Sequence, residues 1–266
     1  MVIKQQISAE ERQRFEADGF IYLRQVFQPE ALTAFASQLR TLVGSLKPNQ
    51  KPLNERDTYG KAFTQVTNLW SHSDIVRNFV FNTDLARLAA QILDVTGVRL
   101  YHDQALFKEA RGGATPWHVD QVYWPMDTPK TCTFWIPLQA TSVEMGALSF
   151  ARGTHKRTDG RELVISDESN QFFSDWVTQN GIDIVQEEFG LGDMSVHTGW
   201  TVHFAGSNNT PVHREVMTII YMADDARILE NPSKTQLVDR DAFLPGCNPG
   251  DLASSKLTPR LYPPST

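Results

Sequence analysis

The sequence predicts a mainly β protein with flanking helices, its strands folded into a sandwich or barrel of the jelly-roll kind. Three observations carry this. The chain up to Asp94 carries helical periodicity. From Val98 onward the apolar residues recur as they do in strands. Those strands are short, numerous and separated by turns containing Gly and Pro. The 266 residues suffice for a substantial core. The expected organisation is one unit over 1–266: a mainly helical part over 1–97, a jelly-roll core over 98–222 and a C-terminal tail over 223–266. No internal repeat or low-complexity block is visible.

Each element has its own signal. Ser8 and Glu11 form a capping box, so a helix opens there and should stop at Asp18-Gly19, where Gly accepts the left-handed turn. Phe20–Leu23 is a short strand. Pro29-Glu30 opens a second helix, with Leu32, Phe35, Leu39 and Leu42 at helical spacing up to Gly44. Ser45–Tyr59 is polar and interrupted by Pro, a loop long enough to be a lid or binding element. Leu85–Leu93 is a further helix before Thr96-Gly97. Val98–Lys108, Thr131–Gln139, Gly146–Ala151, Asp193–His197 and Val216–Met222 read as strands.

Composition narrows the function. Hydrophobic residues at 41% and charged residues at 21% are ordinary globular values. The net charge of −6 with no basic block argues against a nucleic-acid partner or an anionic membrane surface. Two cysteines, Cys132 and Cys247, are too few for a disulfide framework or a thiolate cluster. The N-terminus lacks the apolar core of a signal peptide and no apolar run reaches membrane-spanning length, so a cytoplasmic, reducing setting is expected.

The chemistry concentrates in two stretches. Thr115–Trp124 (TPWHVDQVYW) contains His118-Val119-Asp120. On an extended strand residues two apart share a face, so the imidazole and the carboxylate would converge with Val119 turned away. One imidazole and one carboxylate, completed by a distant second His, form the triad that holds non-heme Fe(II) with open positions. A His and Asp merely bonded to each other would look the same in sequence. The second stretch, Gly192–Arg214, offers His197, His203 and His213, and Arg214, which opens a strand and presents a fork suited to a carboxylate.

These residues, taken in order, resemble the phytanoyl-CoA dioxygenase-like family of Fe(II)- and 2-oxoglutarate-dependent oxygenases. The likeness covers most of the chain. The Ser8–Gly19 helix and Phe20–Leu23 resemble the family's N-terminal segment, Trp117–Asp120 its first metal motif, and Gly153-Thr154-His155 a Gly-Ser-His turn. Gly192-Asp193, His203, Asn208 and Arg214 resemble its second metal motif and cofactor arginine. The resemblance implies a double-stranded β-helix of the cupin-like kind, with Fe(II) on His118, Asp120 and His203 and the distal carboxylate of 2-oxoglutarate on Arg214. It favours His203 over His197 as the second histidine ligand, leaving His197 a supporting or structural role. It makes Gln104 a polar contact to cofactor or substrate, with core hydrogen bonding the alternative, and Trp135 a wall of the cofactor pocket, with aromatic core the alternative. Tyr123, Trp124 and Trp200 could line an apolar substrate cavity.

Two positions depart from the family pattern. Ala205 stands where a Ser or Thr often adds a hydroxyl to the cofactor carboxylate, and Met145-Gly146 replaces an Asn-Gly pair. The implied reaction consumes O2 and 2-oxoglutarate to oxidise a small-molecule substrate, hydroxylation leading and desaturation or ring closure open. Asp120 disfavours halogenation, because related halogenases carry a small residue there. A metal-binding cupin-like protein and a zinc hydrolase use similar ligands, but neither needs Arg214. The Ser45–Tyr59 loop, the Thr158–Gln186 segment and the tail after Met222 are the expected specificity elements.

Overall fold

A computed structural model of the chain describes residues 1–47, 51–56 and 58–264. Helix α1 (Ala9–Asp18) opens on the expected capping box: Ser8 Oγ accepts from the Glu11 amide at 3.1 Å and the Glu11 carboxylate accepts from the Ser8 amide at 2.8 Å. Gly19 closes it at φ 85°, and a Cβ there would strike His155 and Thr201. Strand β1 (Phe20–Leu23) follows as expected. Helix α2 (Pro29–Leu46) buries Leu32, Phe35, Leu39 and Val43 but continues past Gly44, which sits in open space and caps nothing.

The Ser45–Tyr59 stretch begins inside α2, makes a 3-10 turn at Leu53–Glu55 and enters the short helix α3 (Thr58–Ala62); residues 48–50 and 57 lie outside the described residues. Strand β2 (Thr64–Thr67) and helix α4 (Asp74–Val80) carried no clear sequence signal. Helix α5 (Thr83–Leu93) is the predicted one, capped by Asn82. Strand β3 (Val98–Lys108) has the expected bounds. Strands β4 (Thr115–His118), β5 (Thr131–Pro137) and β6 (Leu148–Ala151) precede helix α6 (Asp167–Gln179). Then come β7 (Ile184–Gln186), β8 (Met194–Thr198), β9 (His203–Ala205), β10 (Arg214–Ala223), helix α7 (Lys234–Phe243) and β11 (Arg260–Tyr262).

Among the described residues the strands pair antiparallel into two sheets. The larger runs β1-β8-β5-β10-β3-β11, with β2 also on β3; the smaller runs β4-β9-β6-β7. Strand neighbours far apart in sequence, on two facing sheets, are the jelly-roll pattern that the resemblance implies. One face of the larger sheet meets the helices: Leu100, Phe134, Ile136, Met217 and Ile219 share a core with Leu32, Phe35, Phe79, Leu85 and Leu88. The alternate residues face the smaller sheet, as the period of two requires.

That inner face is a set of cross-strand rows. Lys108 pairs with Arg214; Gln104, Thr218 and Trp135 stand abreast; and His102, Ile220, Thr133 and His197 stand abreast one step further along. Past Ile220 the register between β3 and β10 shifts, so that Tyr221 opposes Leu100. This bulge re-aims the chain. Leu100 lies in the outer core, whereas Tyr101 and His102, adjacent in sequence, both reach Phe243 of α7, at ring-centroid distances of 5.5 and 4.2 Å. No helix among the described residues is long and apolar enough to cross a membrane.

Candidate active site

The smaller sheet supplies the histidines. His118 ends β4 and His203 begins β9, and the two are register partners, with Phe150 of β6 next in the row. The edge strand β4 is held from outside by α6: Ser169 Oγ donates to Trp117 O at 2.9 Å and the Trp117 amide donates to Asn170 at 3.1 Å. Asp120 corrects the extended-strand expectation. The strand stops at His118, and Asp120 has helical torsions (φ −75°, ψ −38°) at the head of a 3-10 turn over Gln121–Tyr123. Convergence with His118 therefore comes from the chain turning after β4 rather than from strand alternation.

The three donors meet. One ligand atom each from His118, Asp120 and His203 lie within 4.8 Å of one another. His118 Nε2 is 3.6 Å and His203 Nε2 3.7 Å from Asp120 Oδ1, too far for hydrogen bonds and suited to ligands arranged around a cation. Each ring is fixed in the same way: His118 Nδ1 bonds Pro116 O at 2.7 Å and His203 Nδ1 bonds Thr201 O at 2.9 Å. A carbonyl only accepts, so Nδ1 carries the proton and the Nε2 lone pair faces inward. Burial, reinforced by the His118 ring, holds His203 well below its usual pKa, in the neutral form a ligand needs. Burial alone would raise Asp120, but His203, His118 and His197 outweigh it and hold the carboxyl well below its usual range, so it is ionised.

His197 is not one of the converging ligands. Its Nε2 bonds Asp120 Oδ2 at 3.2 Å, and Thr133 Oγ1 donates to the same oxygen at 3.1 Å. One carboxylate oxygen is thereby held and the other left toward the histidines.

A cavity of about 540 Å3 contains this centre. At one end lies Arg214, 2% exposed, with one nitrogen donating to Gly146 O at 2.7 Å, Nε unpartnered, and the guanidinium 5.4 Å from the Trp135 ring centre. Gly146 itself turns sharply at φ 79°, where a Cβ would collide with Gly206 O. No carboxylate pairs with Arg214 among the described residues, and burial lowers it to about 9. A buried guanidinium with no acid opposite fits an incoming carboxylate. Gln104 and Trp135 line the same end, and Gln65 Nε2 donates to Gln104 Oε1.

Two residues here were not singled out from sequence. Lys108, fully buried, bonds Gly113 O and Thr115 Oγ1, and burial together with Arg214 lowers it to about 6. Thr115 lines the cavity as the register partner of Ala205, so a hydroxyl stands beside the position that lacks one. Asn208 is structural, its amide holding Glu109 O and Val212 O in the turn before Arg214. His213 is exposed, and His155 bonds Glu16 O. His102 lines the cavity with Nδ1 unpartnered, and burial lowers it to about 4.

The far end is walled by Tyr123, Trp124, Ile165, Val238, Asp239, Ala242 and Phe243. Of the three expected specificity elements, the segment around α6 contributes Ile165 and the tail contributes α7. The described part of Ser45–Tyr59 contributes no lining residue; Phe63, Gln65 and Thr67, which follow it, do. Trp200 is not a lining residue either; Arg161 stacks over it at 4.3 Å.

Comparisons with known proteins agree with this geometry. The phytanoyl-CoA dioxygenase (PhyH) family matches residues 15–216. A probable alpha-ketoglutarate-dependent hypophosphite dioxygenase of Stutzerimonas stutzeri is 23% identical over 230 residues, 82% of this chain and 79% of that protein. Among solved structures, the non-heme alpha ketoglutarate dependent carbocyclase SnoK from nogalamycin biosynthesis superposes with a TM-score of 0.79 at 22% identity, covering 96% of both chains. The epimerase SnoN, in complex with Fe3+, alpha ketoglutarate and nogalamycin RO, gives 0.76 at 23% identity over 95% of this chain and 97% of its own. EctD from S. alaskensis with bound Fe gives 0.68 at 19% identity, covering 84% of this chain and 79% of that one.

Proposed function

The chain belongs to the phytanoyl-CoA dioxygenase family of Fe(II)- and 2-oxoglutarate-dependent oxygenases, and on that premise we propose that it hydroxylates an unactivated C–H bond of a small organic molecule. The observation that carries the residue assignment is a buried guanidinium without an acid partner in the same cavity as two histidines and a carboxylate. Iron and 2-oxoglutarate supply the oxidising power, with O2 consumed and succinate and CO2 released.

The protein's part is to bind, orient and exclude water. His118, Asp120 and His203 would hold the iron. Arg214 pairs with the distal carboxylate of 2-oxoglutarate, and Trp135 and Gln104 flank it. Thr115 stands in for the hydroxyl absent at Ala205: Lys108 donates to its oxygen, leaving the Thr115 proton for the carboxylate. Asp120 occupies the place a halide would need, which favours hydroxyl over halogen transfer. The relatives named for ring closure and epimerisation share the fold, so the fold alone does not decide the outcome.

Anaerobic titration with Fe(II) and then 2-oxoglutarate tests the reading. A weak visible charge-transfer band that needs both components and disappears in Arg214→Ala is expected. Iron binding with no band would replace it with a metal-binding or hydrolytic function.

A further inference from the structure

We propose that the substrate carries a protonated amine on an apolar body, and that Asp239 of α7 receives the amine. This rests on the oxygenase reading above and deepens it at the opposite end of the same cavity.

The cavity is far larger than a five-carbon dicarboxylate requires, and its lining is electrically one-sided. Arg214 is the only Lys or Arg among the lining residues, and it lies at the end assigned to the cofactor. The far end has one ionisable acid, Asp239, set among Tyr123, Trp124, Ile165 and Phe243. Its Oδ2 accepts from the buried Tyr101 hydroxyl at 2.6 Å, while no described residue donates to Oδ1 and no Lys or Arg pairs with the group. The adjacent cation, Arg240, is taken by Asp241 at 2.8 Å. Burial raises Asp239 to about 6, so near neutrality it is largely a carboxylate with one hydrogen bond and no countercharge.

Asp239 is half-buried and solvent reaches its Oδ1, so the carboxylate stands as an open acceptor on an otherwise apolar wall. The position is nonetheless firmly built. Gln236 Nε2 holds Trp124 O at 3.2 Å, and the His102 ring stacks on Phe243 at 4.2 Å. That open acceptor suits a ligand cation: an ammonium donates to Oδ1 while a hydrocarbon or ring lies against the aromatic wall. An oxyanion such as the one named for the hypophosphite relative finds no cation at this end, nor does a phosphate or acyl-CoA handle.

The test uses three probes of one skeleton, 2-phenylethylamine, 2-phenylethanol and 3-phenylpropanoate, with the full chain loaded anaerobically with Fe(II) and 2-oxoglutarate. Affinities come from ligand-observed NMR. The amine should bind at least tenfold more tightly than either other probe. Asp239→Asn should bring all three within about twofold, and Asp239→Lys should invert the order in favour of 3-phenylpropanoate. The charge-transfer band should form in both variants, which separates this proposal from the cofactor assignment: loss of the band in the wild type defeats the latter alone. Equal binding of amine and propanoate, a preference that survives in Asp239→Asn, or no binding by any probe overturns it.

Discussion

Asp120 divides its two oxygens between two tasks, one toward the histidine pair and one on His197 and Thr133. His203→Ala should therefore abolish iron binding, whereas His197→Ala should weaken it by about 10- to 100-fold, the usual cost of losing a group that orients a ligand. Iron titration of both variants, with circular dichroism to confirm the fold, checks this. Arg214→Ala should raise the KM for 2-oxoglutarate by about 10- to 100-fold, as expected for one lost charge-assisted contact, with iron affinity little changed. Lys108 gives a pH signature. Buried beside Arg214, it titrates near 6 when folded but near its ordinary 10.5 when unfolded. Between those values the unfolded chain holds one more proton, so the iron- and cofactor-free protein gains stability as pH rises through that window and loses it as pH falls. Lys108→Met should flatten the slope of denaturant midpoint against pH by about one proton's worth. His118, Asp120 and His203, which the structure brings together, were legible through the family resemblance, since the residues alone left His197, His203 and His213 open. Asp239 and Tyr101 were not, since each gains meaning only where the tail docks on a bulged strand.

Helices and strands bounded by their own chemistry were read correctly, as at Ser8, Gly19, β3 and α5. Those shaped by neighbours were not. Strand β2 is four residues of mixed polarity that pair only because β3 offers an edge, and β4 ends at His118 because the chain must turn there. Gly44 and Gly19 look alike in sequence but differ in place. Gly44→Ala adds a methyl in open space within α2 and should stabilise by about 0.5–1 kcal/mol. Gly19→Ala must adopt a positive φ and press on His155 and Thr201, and should destabilise by about 1–3 kcal/mol. Chemical denaturation of the two variants would show the opposite signs.

Across the whole molecule, the class of fold followed from the change in periodicity, whereas the pairing of β4 with β9 and of β10 with β3 and β5 did not, because pairing between distant strands leaves no local mark. The site bridges both sheets, so its ligands should brace them together. At concentrations near a hundred times their dissociation constants, Fe(II) and 2-oxoglutarate should each add about 2.7 kcal/mol and raise the thermal midpoint, read by calorimetry under nitrogen. Unchanged midpoints would mean that the ligands do not bind the folded chain. The bulge at Tyr101 has a consequence for ancestry. The cofactor's end of the cavity is written between Gln104 and Arg214, and the opposite wall is written mostly after β10, in α7. Mutation, insertion or recombination confined to the tail can exchange one set of substrates for another while the oxidising centre is inherited intact. Lineages bearing this barrel are free to diversify at one end of a single chamber.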